Sequence, residues 1–219
     1  MEEQSLHDFV DFYLVPHDPR NLPAFQQPLD VMTCPSNPYG KQLGYQETHN
    51  TRNRELIAET SYAACIGDYW NGTGSKGEGA PRQYRWGNNH IPPRGVISRY
   101  GWSASFKDIP DGTSSTFALG EVIGQWCINQ DFPNQAFATT AHPINHKNDV
   151  YADLGVIDYN RRPEPIIWDW AIAFRSAHPG GAHFLMCDAS VRFINESIEH
   201  VTYHALASRA GEEVVSLPQ

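Results

Sequence analysis

The chain has 219 residues, with 16 Lys plus Arg against 25 Asp plus Glu and a formal net charge of −9. That balance argues against a nucleic-acid backbone as partner, and no polybasic run suggests an anionic membrane surface. Seventeen Gly, 16 Pro and six Trp point to a loop-rich domain with β structure rather than a helical bundle, and the length is enough to bury one sizeable core.

Leu6, Phe9, Val10, Tyr13 and Leu14 fall at helical spacing with Asp8 and Asp11 facing away, which predicts an amphipathic helix over 5–15 lying on the sheet. From 16 to 60, Pro16, Pro19, Pro23, Pro28, Pro35 and Pro38 keep removing backbone donors. The segment therefore reads as loop, with a short strand at Leu29 to Met32 and a Cys34-Pro35-Ser36-Asn37-Pro38 turn. Residues 61–66 read as a strand.

The region 67–102 is the least regular, with Tyr69, Trp70, Tyr84, Trp86, Tyr100 and Trp102 threaded among glycines. Flat rings beside amides can stack on sugars, so Tyr69, Trp70, Trp86 and Trp102 are candidate ligand-binding residues. The plainer reading is an ordered flap whose rings cover the sheet. Asp111-Gly112 is a turn signal before a strand at 116–123, and 128–165 is a second irregular insertion. Ile166 to Phe174 reads as another strand.

His178 to Ile194 then reads as a β-hairpin. His178-Pro179-Gly180-Gly181 is the entry turn, 182–187 a buried strand, Asp188-Ala189-Ser190 the tip and 191–194 the return strand. Asp188 is suited to bond its own downstream amides. Ser197 caps a last helix with Ile198, Val201, Ala205 and Leu206 as its buried stripe, ended by Gly211. The order of elements predicts an α+β fold: an antiparallel sheet with long irregular loops and flanking helices, in one domain over 1–219.

Three histidine constellations are candidates for chemistry. His142, His146 and Asp149 have a metal-like spacing, but Pro143 opposes the helix that would align them, so a solvated loop is favoured. His200 and His204 share one face of a helix, with no carboxylate base between them, which favours surface or interface histidines. His178, His183 and Asp188 form the third set, in which His178 reaches Asp188 across the hairpin and locks the turn. No Gly-x-Ser-x-Gly elbow, Walker loop or dinucleotide-binding glycine pattern is present, so the chain reads as non-enzymatic.

His178, nine intervening residues and Asp188 resemble the C-terminal signature of a prepilin-like family of bacterial envelope proteins, where a His precedes Asp-Gly at that distance. Here Ala189 stands in place of the glycine. Other segments resemble the family in order: Cys34 to Pro38, Ser61-Tyr62-Ala63 with Gly67, Asp108 to Thr116, Leu119-Gly120-Glu121, and Leu206 to Val215. The resemblance implies a pilin- or pseudopilin-like domain lacking its N-terminal hydrophobic helix, since the chain starts at Met1-Glu2-Glu3-Gln4 without a long apolar run. It implies prepilin-type processing, an extracytoplasmic location (periplasm, cell surface or secreted) and partners among pilin-like subunits or envelope components, as in type II secretion. Membrane contact would come only through the absent helix.

No cofactor is expected beyond a structural calcium, held in some proteins resembling this fold, for which Asp108, Asp111, Glu121 and Asp188 are candidate ligands. Cys34, Cys65, Cys127 and Cys187 allow one or two disulfides in an exported protein, or serve as small buried hydrophobes; the resemblance favours at least one bridge. The rival to the envelope reading is an extracellular glycan- or solute-binding module built on 67–102. A third is a metal-dependent hydrolase built on the His142 loop.

Overall fold

The computed structural model describes residues 4–14, 18–39, 43–46, 55–68, 94–97, 102–123, 137–145 and 173–211. A five-stranded sheet is built from β3 (Tyr62–Cys65), β4 (Phe117–Glu121), β5 (Phe137–Ala138), β6 (Gly181–Met186) and β7 (Val191–Asn195), in the order β5–β3–β4–β6–β7. β1 (Leu43–Gln46) and β2 (Glu55–Ala58) pair separately as an antiparallel ribbon. Among the described residues three short helices accompany them: α1 (Gln4–Phe9), α2 (Leu22–Phe25) and α3 (His200–Ala207). The fold is α+β, but the sheet is mixed rather than antiparallel, because β5 runs parallel to β3.

The hairpin of β6 and β7 forms as the sequence indicates, with Gly181 opposite Asn195 and Leu185 opposite Val191. Alternation decides what each face does. Ala182, Phe184 and Met186 point into the core, while His183 and Leu185 face the other way. Phe184 stacks on Phe117 with ring centroids 4.2 Å apart and meets Phe174 edge-on at 4.9 Å. α3 closes this face with Tyr203, Leu206 and Ala207, all fully buried. Gly120 is required at the centre of the cluster, since a Cβ there would lie 2.5 Å from the Phe174 ring.

Several local expectations are corrected. Leu29 to Met32 is not a strand: Asp30–Met32 is a 3-10 turn, whose Leu29 carbonyl accepts from the Met32 N–H at 3.1 Å. The β1–β2 ribbon lies in a stretch expected to be loop, where the Pro-rich composition hid two four-residue strands. α1 spans only Gln4–Phe9 and buries nothing, and Phe9 and Tyr13 are 55% and 100% exposed, so no helix lies on the sheet there. In α3, Val201 is 80% exposed and Tyr203 takes the buried place expected of it. Ser197 bonds Asn195 in a turn instead of capping the helix, which ends before Ser208 rather than at Gly211. Of the strand expected over 166–174, only Ala173 and Phe174 are described, and Ala173 bridges Thr139 in parallel. The expected disulfide is absent among the described residues: Cys34, Cys65 and Cys187 are free thiols, and Cys127 lies outside them. Burial pushes the Cys65 thiol up to about 12 and the Cys187 thiol up to about 11.

The hairpin tip shows what the missing glycine means. Ala189 adopts φ +67°, the left-handed conformation that costs an L-residue about 1–2 kcal/mol. The Asp188 carboxylate holds that turn by accepting from the Ser190 N–H at 2.9 Å and its hydroxyl at 2.6 Å. Ala189→Gly should therefore raise stability, by up to about 1 kcal/mol after the larger unfolded-state entropy of glycine is allowed for. Urea denaturation of the two proteins, compared at equal m-value, measures it.

Candidate functional site

The sheet face away from α3 carries a cluster of titratable side chains around Glu121. β4 presents Gly120 to the core, so Glu121 faces the opposite side, beside His183 of β6. Glu121 is 3% exposed. Its Oε2 accepts the His183 backbone N–H at 2.7 Å, and the His183 Nδ1 lies 3.4 Å from the same oxygen. Its Oε1 accepts from the Cys34 thiol at 3.3 Å and lies 3.3 Å from the His178 Nε2. Cys34 Sγ and His178 Nε2 are themselves 3.6 Å apart.

Each partner is delivered by a local device. The Cys34-Pro35-Ser36-Asn37 turn closes with the Asn37 N–H donating to the Cys34 carbonyl at 3.0 Å. It is tied to the sheet by the Asn37 side-chain amide donating to Ser61 Oγ at 3.1 Å and the Ser61 N–H donating to the Met32 carbonyl at 2.8 Å. His178 is placed by its own N–H donating to Ser176 Oγ at 3.1 Å, and the Ser176 N–H donates to Asn145 Oδ1 at 2.8 Å. Glu121 and Cys34 form the floor, while the His178 and His183 side chains, 28% and 40% exposed, form a rim that solvent reaches. Burial pushes the Cys34 thiol above its ordinary value and neighbouring Glu121 adds to that, while the Ser36 and Asn37 backbone N–H groups pull it down.

Cys34, Glu121 and His178 are the one set of three His, Cys, Asp or Glu side chains among the described residues whose donor atoms all lie within 4.8 Å of one another. Sulfur, imidazole nitrogen and carboxylate oxygen together form a donor set for a borderline transition ion, not for calcium, which takes six to eight oxygens. Asp111, Glu121 and Asp188 do not converge as a calcium site. Asp111 accepts the Gly211 N–H at 2.6 Å, Asp188 turns onto Ser190, and Glu121 sits at the opposite end of β4 from both. Asp108 is likewise engaged locally, accepting the Ser105 N–H at 2.9 Å.

His178 does not meet Asp188. The two occupy opposite ends of the hairpin, about 20 Å apart at the usual strand rise, and His178 turns to Glu121 instead. Gly180 adopts φ +82°, and a Cβ on Gly181 would strike the Ile194 carbonyl, so the entry turn needs both glycines. Trp102 lies under the Arg209 guanidinium, 5.1 Å from the ring centroid; Tyr69, Trp70 and Trp86 lie outside the described residues. So do His146 and Asp149, which leaves the His142 constellation undescribed. Sequence reading named Glu121 and His178 but missed Cys34 as their partner; the signal was its place in a proline-bounded turn.

On the α3 side, His200 and His204 touch, with their Nε2 atoms 3.0 Å apart and His200 Nε2 3.2 Å from the Thr140 carbonyl. Burial, and then His200 beside it, lowers His204 to about 4.

An α+β domain with a mixed sheet and a buried thiol–carboxyl–imidazole group is thus the class defined. The family described as "Protein of unknown function (DUF1559)" matches residues 1–200, and the chain belongs to it. No curated protein and no solved structure matches the chain. Among the described residues no helix is long and apolar enough to cross a membrane.

Removing the hub should be costly. Glu121→Ala strands the His183 N–H and empties a buried site, so about 3 kcal/mol of stability should be lost, whereas Glu121→Gln keeps an acceptor and should lose about half of that; urea titrations read both. For His204, the folded value near 4 lies below the 6.5 of a free imidazole, so the unfolded chain takes up its proton first as pH falls. Its contribution to stability is complete above about pH 6.5 and declines between about 6.5 and 4. An NMR titration should show the His204 ring neutral at pH 6, and His204→Gln should flatten that part of the stability profile.

Proposed function

We propose that this chain is the globular domain of a non-enzymatic, pilin-like protein of the bacterial envelope, displayed outside the inner membrane among other pilin-like subunits or envelope components. The observation that carries the reading is where the prepilin-like segments go. Cys34 to Pro38, Ser61-Tyr62-Ala63, Leu119-Gly120-Glu121 and His178 meet at one end of β4, through the Cys34–Glu121, Asn37–Ser61 and His178–Glu121 contacts. Asp108 to Thr116, the Asp188 tip and the segment after α3 meet at the other. There the Asp188 N–H donates to the Thr113 carbonyl at 3.0 Å, the Cys187 N–H to Thr116 at 2.9 Å, and the Arg209 guanidinium to the Asp108 carbonyl at 2.9 Å.

Residues that engage one another in this way hold a fold together. The nucleophile class with a candidate at the site, Cys34, is kept as a thiol by burial and a neighbouring carboxyl group, the reverse of an activated cysteine. The test is location. The full gene product, produced in a bacterium with prepilin processing, should fractionate with the envelope and expose this domain to protease added to spheroplasts. Recovery in the cytosol, shielded from protease until lysis, would overturn the reading.

A further inference from the structure

We propose that Cys34, Glu121 and His178 bind one zinc-like divalent transition ion, an inference that stands independently of where the protein is displayed. Three segments far apart in the chain bring three different donors to one point. A tetrahedral ion with sulfur at about 2.3 Å and nitrogen and oxygen at about 2.0–2.1 Å sets donor–donor edges of about 3.5 Å for S–N, about 3.5 Å for S–O and about 3.3 Å for N–O. The three observed edges are 3.6, 3.3 and 3.3 Å. A His–carboxylate contact governed by hydrogen bonding alone would close to about 2.7–2.9 Å. The His178–Glu121 edge, at 3.3 Å, is wider than that, and the three edges together match the size of the ion.

The surroundings suit a metal in three further respects. Glu121 Oε2 is engaged by the His183 N–H at 2.7 Å, which orients the carboxylate and leaves Oε1 to the ion. The Cys34-Pro35-Ser36-Asn37 turn, closed by the Asn37 N–H donating to the Cys34 carbonyl at 3.0 Å, fixes the backbone that carries the sulfur. A thiolate and a carboxylate balance a divalent charge, so the bound group is neutral and its burial is not penalised as an isolated charge would be. Binding breaks the Cys34 S–H bond, forms the sulfur–metal bond and releases the proton to solvent, with no redox change. The His178 and His183 side chains are 28% and 40% exposed, so solvent reaches the group and can supply a fourth donor.

The experiment is a Zn²⁺ titration of the reduced, metal-free chain against a chromophoric chelator, repeated with Co²⁺ as a spectroscopic probe. The wild type should take up one equivalent at this site, give the near-ultraviolet thiolate-to-cobalt band, and melt at a higher temperature with Zn²⁺ than without. Cys34→Ser should abolish the band, and Cys34→Ser and His178→Ala should each weaken binding at least about tenfold. A His200→Ala/His204→Ala double variant, which removes the other imidazole pair, should keep the band and the affinity. His178 is partly exposed, so His178→Ala keeps the test decisive should Cys34→Ser fail to fold. Absence of the cobalt band in the wild type, or His178→Ala binding Zn²⁺ as tightly as the wild type, would overturn the proposal.

Discussion

The structure turns on one buried carboxyl group. Glu121 is the last residue of β4, and its backbone and side chain serve different neighbours. Its carbonyl accepts the Arg175 N–H at 2.8 Å, drawing the segment before the hairpin onto the sheet. Its two oxygens then engage β6 through the His183 N–H, the proline-bounded turn through Cys34, and the hairpin entrance through His178. A buried carboxyl without these partners would carry a desolvation cost of several kcal/mol. With them, it ties three distant segments to the central strand.

The opposite face of the same strand depends on a residue with no side chain. Gly120 admits Phe174 and Phe184, and the aromatic cluster of Phe117, Phe174, Phe184 and Tyr203 forms on that absence. The consecutive Gly120-Glu121 pair thus builds the dry core on one side and the polar group on the other, as the period-two alternation of a strand requires. At the far end of β4, Gly112, with φ +98°, and the Asp188 turn perform the corresponding task for the hairpin tip.

Parts of this were legible from the chain alone. The β6–β7 hairpin could be read because a Pro-Gly-Gly turn, an apolar run and an Asp-x-Ser tip are local signals, and local hydrogen bonds such as Asp188 to Ser190 realise them. The strand at Phe117–Glu121 followed from the Asp-Gly turn before it. The β1–β2 ribbon escaped because four-residue strands in a Pro- and Asn-rich stretch carry too little periodicity, and the β5 pairing because two residues carry none. The expected stripe of α1 misled, since helical spacing of apolar residues does not supply a surface to bury them against.

The amino-acid sequence by itself determined the α+β class, the hairpin and the turns, because these depend on residues within a few positions of one another. It also singled out His178 and Asp188, though as partners. Only the tertiary structure decided that they stand at opposite ends of β6, that His178 belongs with Glu121 and Cys34, and that Cys34 is a free thiol. Such pairings span 87 and 144 residues of chain, and no local rule of spacing or propensity fixes a contact that sheet order alone creates.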